Sequence, residues 1–141
     1  GRELVHLLLD VVSKGGNLAL NIAPQPDGLL PAPAVRSLRE MGAWLKLFGD
    51  GIYETHLCAP YFEEKLFYTQ KQDTMFAFYA YEDVPVLPKK LTLHVDKKVS
   101  KVTCKRTGQT IKFRNGENSL TLFLEDIAMA GAFYAECFVL E

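Results

Sequence analysis

A mainly β chain is what this sequence predicts: an antiparallel β-sandwich preceded by a helix–strand–helix piece of an α/β architecture. Three observations predict it. Apolar residues recur at helical spacing up to about Gly49 and at strand spacing beyond it. A single short apolar run, NLALNI at residues 17–22, lies between the two helical stretches. After Ile52, about seven short alternating segments fill roughly 85 residues, the density of a sandwich. A β-barrel of similar size is the other architecture that this density admits. The division falls between residues 1–51 and 52–141.

The first helix is predicted over residues 2–13, where Leu4, Val5, Leu8, Leu9 and Val12 recur at helical spacing. Gly15 and Gly16 end it, because glycine readily takes the left-handed conformation of a helix stop. Residues 17–22 suit a strand buried on both faces of a parallel sheet. Pro24, Pro26 and Asp27-Gly28 then make a loop. A second helix is predicted over residues 34–48, entered through Pro31 and Pro33. Val35, Leu38, Met41, Leu45 and Phe48 form its apolar stripe, with Trp44 beside it. These side chains are expected to face protein, since so large a bare patch exceeds what soluble monomers usually expose. One such unit cannot satisfy its strand's backbone groups alone. Either something else supplies parallel neighbours or the piece rearranges. Further on, strands are predicted at 66–70, 74–81, 90–95, 101–105, 110–113, 119–124 and 132–140. Gln72-Asp73, Gly108-Gln109 and Asn115-Gly116-Glu117 mark turns between them.

Apolar residues make up 48% of the chain, enough for a real core. Sixteen basic and seventeen acidic residues give a net charge of −1, without the basic excess of a nucleic-acid binder. The densest basic stretch, Lys97, Lys98, Lys101, Lys105 and Arg106, reads as a solvated sheet face. No apolar run approaches the ~20 residues that span a bilayer. No signal peptide is read either, since Asp10 interrupts the early apolar run. Cys58, Cys104 and Cys137 are odd in number and lack metal-type spacing, so buried free thiols are expected, with one bridge left open. His6, His56 and His94 are scattered, which argues against a zinc site. No cofactor is implied.

Residues 10–55 carry a series of motifs in fixed order: SKGGN at 13–17, LN at 20–21, DG at 27–28, WL at 44–45 and GIY at 51–53. This stretch resembles the signature through the end of the catalytic barrel in the family-29 glycoside hydrolases, the α-L-fucosidases. Ala19, the Gly49-Asp50-Gly51 triplet and Glu54 depart from the usual pattern. From about Cys58 onward the chain is similar to that family's carboxy-terminal sandwich in length and strand pattern. The resemblance implies strand eight of a (β/α)8-type barrel for residues 17–22 and the last barrel helix for 34–48. The chain then reads as a carboxy-terminal fragment. Residues 1–51 are the incomplete final unit of the barrel, and 52–141 are the β-sandwich. Family members hydrolyse terminal α-L-fucosyl linkages with retention, using an aspartate nucleophile and a separate acid/base carboxylate. Retention needs two carboxyl groups about 5 Å apart, and the resemblance places both upstream of Gly1. No catalytic residue is therefore carried over, and the chain alone is expected to be inactive. The implied partners are fucosylated glycans, bound by the intact parent, and the upstream barrel of the same enzyme. Nucleic acid and membrane are not among them. The implied compartment is periplasmic, secreted or lysosomal.

Barrel active sites lie at the carboxyl ends of the strands. Here that end is Asn21 and Ile22, the two candidates for a wall of the fucose pocket; the competing reading has the Asn21 amide only tying the loop down. Asp27 precedes a glycine and is explained by turn chemistry. The pairs Glu63-Glu64 and Glu82-Asp83 have the residue types of an acid/base pair, but neighbours in a strand point to opposite faces and those in loops are solvated. Aromatic stacking candidates are Trp44, Tyr61, Phe62, Phe67, Tyr68, Phe76, Phe78, Tyr79 and Tyr81. Phe76 and Phe78 share one strand face, Tyr79 and Tyr81 the other. An exposed Tyr79–Tyr81 pair would favour the rival function, a carbohydrate-binding accessory β-sandwich module. A buried pair would favour a sandwich that only buttresses the barrel, the reading preferred here.

Overall fold

The computed structural model describes residues 1–141 and arranges them as two helices, a five-stranded sheet and a three-stranded sheet. Helix α1 spans Arg2–Ser13 and α2 spans Ala32–Phe48, followed by a 3-10 turn at Gly49–Gly51. The strands are β1 (His56–Glu63), β2 (Leu66–Lys71), β3 (Thr74–Ala80), β4 (Lys90–Leu93), β5 (Val102–Cys104), β6 (Lys112–Gly116), β7 (Ser119–Phe123) and β8 (Ala135–Leu140). The larger sheet has the order β1-β2-β3-β8-β5 and the smaller one β4-β7-β6. Every ladder is antiparallel.

Strand alternation lets the larger sheet serve two cores. In β3, Met75 and Ala77 turn toward the smaller sheet, while Phe76 and Phe78 turn toward the helices. In β8, Phe138 and Leu140 face the first way and Cys137 the second. Both strands are covered on both faces, which is why they read as near-continuous apolar runs. Between the sheets, Tyr68, Val102 and Cys104 meet Leu91, Leu93, Leu120 and Leu122. On the opposite face, Val5, Leu8 and Leu9 of α1 and Met41, Trp44 and Phe48 of α2 pack on Phe76, Phe78, Ala135 and Cys137. The helical stripe thus faces protein as expected: Met41, Trp44 and Phe48 are buried, and Val35, Leu38 and Leu45 are half-buried.

Three free cysteines are all buried. Cys104 pairs in register with Phe138 and looks into the sandwich, whereas Cys137 looks toward the helices, so the sheet itself separates them.

Several expectations need correction. Residues 17–22 form no strand; they belong to the irregular connection from α1 to α2. The physical reason is the one raised above: no parallel neighbour is present, so the segment rearranges. Strand β1 lies in a stretch where no strand is predicted. Pro60 interrupts its alternation, and β1 is an edge strand that pairs with β2 only near its ends, around a bulge between Leu57 and Phe62. The β6–β7 turn is not at Asn115-Gly116-Glu117. It consists of Glu117 and Asn118, closed by the pair Gly116 and Ser119, with Asn118 in the left-handed region at φ 52°. Asn115 instead anchors a neighbouring segment, its side-chain amide bonding both the N–H (3.1 Å) and the C=O (2.9 Å) of Val99. The basic stretch 97–106 is not one solvated face. Lys105 reaches Asp50 at 2.5 Å, and the side chain of Arg106 is only 7% exposed.

Candidate functional site

The residues singled out from the sequence fall in three places: the seam between helices and sheet, the α1–α2 connection, and the open edges of the sandwich.

At the seam, Trp44 is fully buried, with its ring centroid 5.0 Å from Phe48 and 5.8 Å from Phe78. Its indole N–H donates to the carbonyl of Ala135 at 3.1 Å. Beyond the end of the helix, Thr69 donates its hydroxyl hydrogen to the carbonyl of Gly51 at 2.6 Å. Gly51 is a glycine because a Cβ there would sit 2.6 Å from Phe78 and 3.0 Å from Phe76. Thus the WL and GIY motifs act together to bring the end of α2 into contact with the middle of the sheet. Tyr134 adds a second tie. Its hydroxyl donates to Glu40 of α2 at 3.0 Å, and its carbonyl lies 2.9 Å from Nε2 of His6 on α1. Tyr134 and His6 each border an open surface pocket, of ≈ 440 Å³ and ≈ 520 Å³, beside Arg2, Glu82 and Asp83.

In the connection, Asn21 is exposed and Ile22 half-buried. Asp27 does what a turn residue does: its carboxylate accepts the N–H of Leu29 at 3.0 Å. Leu20, Leu29 and Leu30 of this segment are exposed, together with Leu7 on α1 and Leu47 on α2.

The carboxylate pairs resolve into separate bonds. Glu82 pairs with Lys65 at 2.5 Å, and Asp83 pairs with Arg2. Glu63 accepts the hydroxyl of Tyr68 at 2.6 Å and lies 2.6 Å from Nδ1 of His94. Burial pushes the Glu63 carboxyl up, but the bonds from Tyr68 and from the His94 amide and ring outweigh it and hold the group below its usual value. Glu64 sits in the β1–β2 turn, with φ 48°. Glu63, Glu82 and Asp83 are thus each engaged by a basic or hydroxyl partner of their own. Glu63, Lys65, Tyr79, Lys90, Thr92 and His94 line an open cleft of ≈ 510 Å³ at the mouth between the two sheets.

The aromatic candidates are mostly packing residues. Tyr68, Phe76, Phe78 and Tyr81 are buried, and Tyr79 is half-buried against the sandwich core with its ring 5.9 Å from that of Tyr81. Tyr61 and Phe62 remain exposed on the edge strand, where Lys14 lies 5.0 Å from the centroid of Phe62.

The strongest electrostatic feature escaped the sequence. Glu136 is fully buried in β8, and its carboxylate accepts a hydrogen bond from Nε of Arg106 at 2.8 Å, forms an ion pair with Nη2 of the same residue at 2.7 Å, and accepts one from the Tyr81 hydroxyl at 3.2 Å. Arg106 also donates to the carbonyls of Ala128 (2.7 Å) and Ala130 (2.9 Å). The fork-shaped guanidinium thereby ties the 125–134 loop to the sheet. Burial of the Tyr81 phenol, followed by its contact with Glu136, pushes its ionisation well up. The one sequence signal was a charged residue inside the apolar run AECFVL.

Comparison with known proteins bears on the whole arrangement. A family profile described as alpha-L-fucosidase matches residues 1–50. The plasma alpha-L-fucosidase of Rattus norvegicus is 54% identical over 54 residues, which is 38% of this chain and 12% of that protein. The tissue alpha-L-fucosidase of Mus musculus is 34% identical over 82 residues, covering 56% of this chain and 18% of that one. Among solved structures, an alpha-fucosidase of Thermotoga maritima in complex with a mechanism-based inhibitor is similar over 99% of this chain, at a TM-score of 0.84 and 27% identity. The chain covers 33% of that structure. A GH29 alpha-L-fucosidase of Bacteroides thetaiotaomicron shares the fold at a TM-score of 0.83 and 22% identity. The chain therefore spans about an eighth to a fifth of the curated relatives in sequence, and a third of the solved proteins.

Proposed function

The chain belongs to the α-L-fucosidase family, with the sequence of its carboxy-terminal part, and from that premise we propose that it supports the catalytic barrel of a retaining α-L-fucosidase without contributing a catalytic carboxylate. In this reading residues 1–51 complete the barrel, 52–141 form the accessory sandwich, and the intact parent removes terminal α-linked L-fucose from glycans. The observation that carries it is the similarity to the Thermotoga fucosidase over 99% of the chain, helices and sandwich together. The fragment keeps that arrangement through its own contacts, chiefly Trp44, Gly51 and the buried faces of α1 and α2.

Two further features support the role. The exposed leucines Leu7, Leu20, Leu29, Leu30 and Leu47 lie on the two helices and the connection between them, where the upstream barrel would lie. No helix is long and apolar enough to cross a membrane, so this surface is not that of a spanning helix. Asn21 and Ile22 sit on the same connection, at the end that the resemblance directs toward the pocket. With the strand ordered between parallel neighbours, they would form part of the pocket wall. Burial of Tyr81, with Tyr79 packed beside it, favours a buttressing sandwich over a sugar-binding one on that face.

The test uses 4-nitrophenyl α-L-fucoside. The full-length protein containing this sequence is expected to hydrolyse it with initial release of the α-anomer, read by proton NMR, and the 141-residue chain is expected to leave it intact. An inert full-length protein, an inverted product, or turnover by the chain free of longer enzyme would each overturn the proposal.

A further inference from the structure

We propose that the outer face of the three-stranded sheet is a binding surface for an anionic saccharide, a chain of sugars bearing sulfate or carboxylate groups. The face is defined by register. Lys90, Phe123 and Lys112 lie side by side across β4, β7 and β6, and Thr92, Thr121 and Arg114 form the next row. Leu91, Leu93, Leu120 and Leu122 alternate with them and point into the core, so these six side chains share the solvent side.

The three strands, KLTL, KFRNG and SLTLF, contain three cations and no acid. Nearby acids sit at the rim: Glu117 in the β6–β7 turn, Glu125 beyond β7, and Glu63 and Glu64 across the cleft that Lys90 and Thr92 also line. Lys90, Lys112 and Arg114 have no carboxylate partner, and they stand together; Arg36, Arg39, Lys46, Lys89, Lys97 and Lys98 are unpaired as well, while Arg2, Lys14, Lys65, Lys71, Lys101, Lys105 and Arg106 each hold a carboxylate. A chain of net charge −1 thus places three unpaired cations, and no acid, on the three strands of one sheet face. Like charges held close together repel, and an anion laid across them relieves that repulsion.

Phe123 gives the face its second character. Its half-buried ring lies in the centre, with Nζ of Lys90 at 5.7 Å and the guanidinium carbon of Arg114 at 5.9 Å from the centroid. An aromatic platform ringed by cations and by the hydroxyls of Thr92 and Thr121 matches a sugar ring whose substituents are negative. The face carries no exposed large apolar side chain to enter a bilayer. It also lies on the far side of the sandwich from α1 and α2, so covering the helices would leave it open. The inference does not depend on the fucosidase reading.

The test is titration of the 141-residue chain with a sulfated dextran octasaccharide, the uncharged dextran octasaccharide, and phosphatidylcholine vesicles containing phosphatidylserine. Binding to the sulfated sugar alone, weakening as salt is raised, is expected. The Lys90→Gln/Lys112→Gln/Arg114→Gln variant should weaken it at least about tenfold and Phe123→Leu about threefold, with folding checked by circular dichroism. Lys97→Gln/Lys98→Gln/Lys101→Gln, which removes as much charge elsewhere, should change it less than about twofold. No binding by the unmodified chain, equal loss in both triple variants, or binding to the vesicles but not the sulfated sugar would overturn the proposal.

Discussion

Replacing Trp44 by alanine tests whether helices and sandwich form one folding unit. Trp44 is the chain's only tryptophan and is fully buried. It touches Phe48 within its own helix and Phe78 in the sheet, and its N–H is bonded to Ala135 on β8. Truncating such a residue costs about 3–5 kcal/mol, because the surroundings collapse only partly into the space left. A domain of this size is stable by about 5–15 kcal/mol, so the loss is a large share of the total. With a urea dependence of about 2 kcal/mol per molar, the midpoint should fall by about 2 M. Trp44→Phe keeps most of the packing and loses the hydrogen bond, for about 1–2 kcal/mol. Urea unfolding followed by circular dichroism gives the midpoint, and hydrogen exchange in Thr74–Ala80 shows whether the sheet shares the loss. A shift below about 0.5 M, or a melted α2 beside unchanged protection of β3, would refute the single unit.

Three more predictions follow from named contacts. Arg106→Leu leaves the Glu136 carboxylate buried without its partner and should cost about 3–5 kcal/mol by urea unfolding, while adding Glu136→Leu should recover a large part of it. For Glu63→Gln, the sign follows from a folded-state carboxyl held below its usual value. The stabilisation is present above the unfolded value of about 4.3 and is lost as pH falls through the lowered folded one. The stability gap between unmodified chain and variant, measured at about pH 7 and again at about pH 3, should therefore close at the lower pH. Amides 18–22 have no backbone partner and should exchange within seconds, whereas Thr74–Ala80, paired on both sides, should be the slowest segment of the chain.

Much of the fold was legible because its signals are local. Leu4, Val5, Leu8 and Leu9 give α1 its face, and Gly15, at φ 81°, follows its end. Gln72, at φ 54°, makes a two-residue turn that the polar pair Gln72-Asp73 announces. What failed depends on distant partners. Nothing near Pro60 shows that the segment is an edge strand, where a missing N–H does no harm. Nothing near Arg106 shows that Glu136, thirty residues on, will take its charge. The run of basic residues thus looked like one surface, although Lys105 and Arg106 turn to separate acids. For the outer face of the small sheet the reverse holds. Lys90, Lys112, Arg114 and Phe123 are scattered in sequence, and only the β4-β7-β6 register gathers them.

The fate of residues 17–22 shows how the two kinds of signal divide the work. This segment and α2 both carry the family's motifs, yet α2 forms as expected and the strand does not. A helix satisfies its backbone within itself and needs only a partner for its apolar stripe, which Phe76, Phe78, Ala135 and Cys137 supply. A strand inside a parallel sheet must borrow hydrogen bonds from two neighbours, and the antiparallel sheets here offer no free place for it. On the proposed reading, the apolar pattern of NLALNI is a statement about a surrounding barrel more than about the segment itself. A barrel unit cut from its neighbours should lose its strand and keep whichever helices another layer can cover. In this chain that layer is the sandwich, and α1 and α2 are the helices it covers.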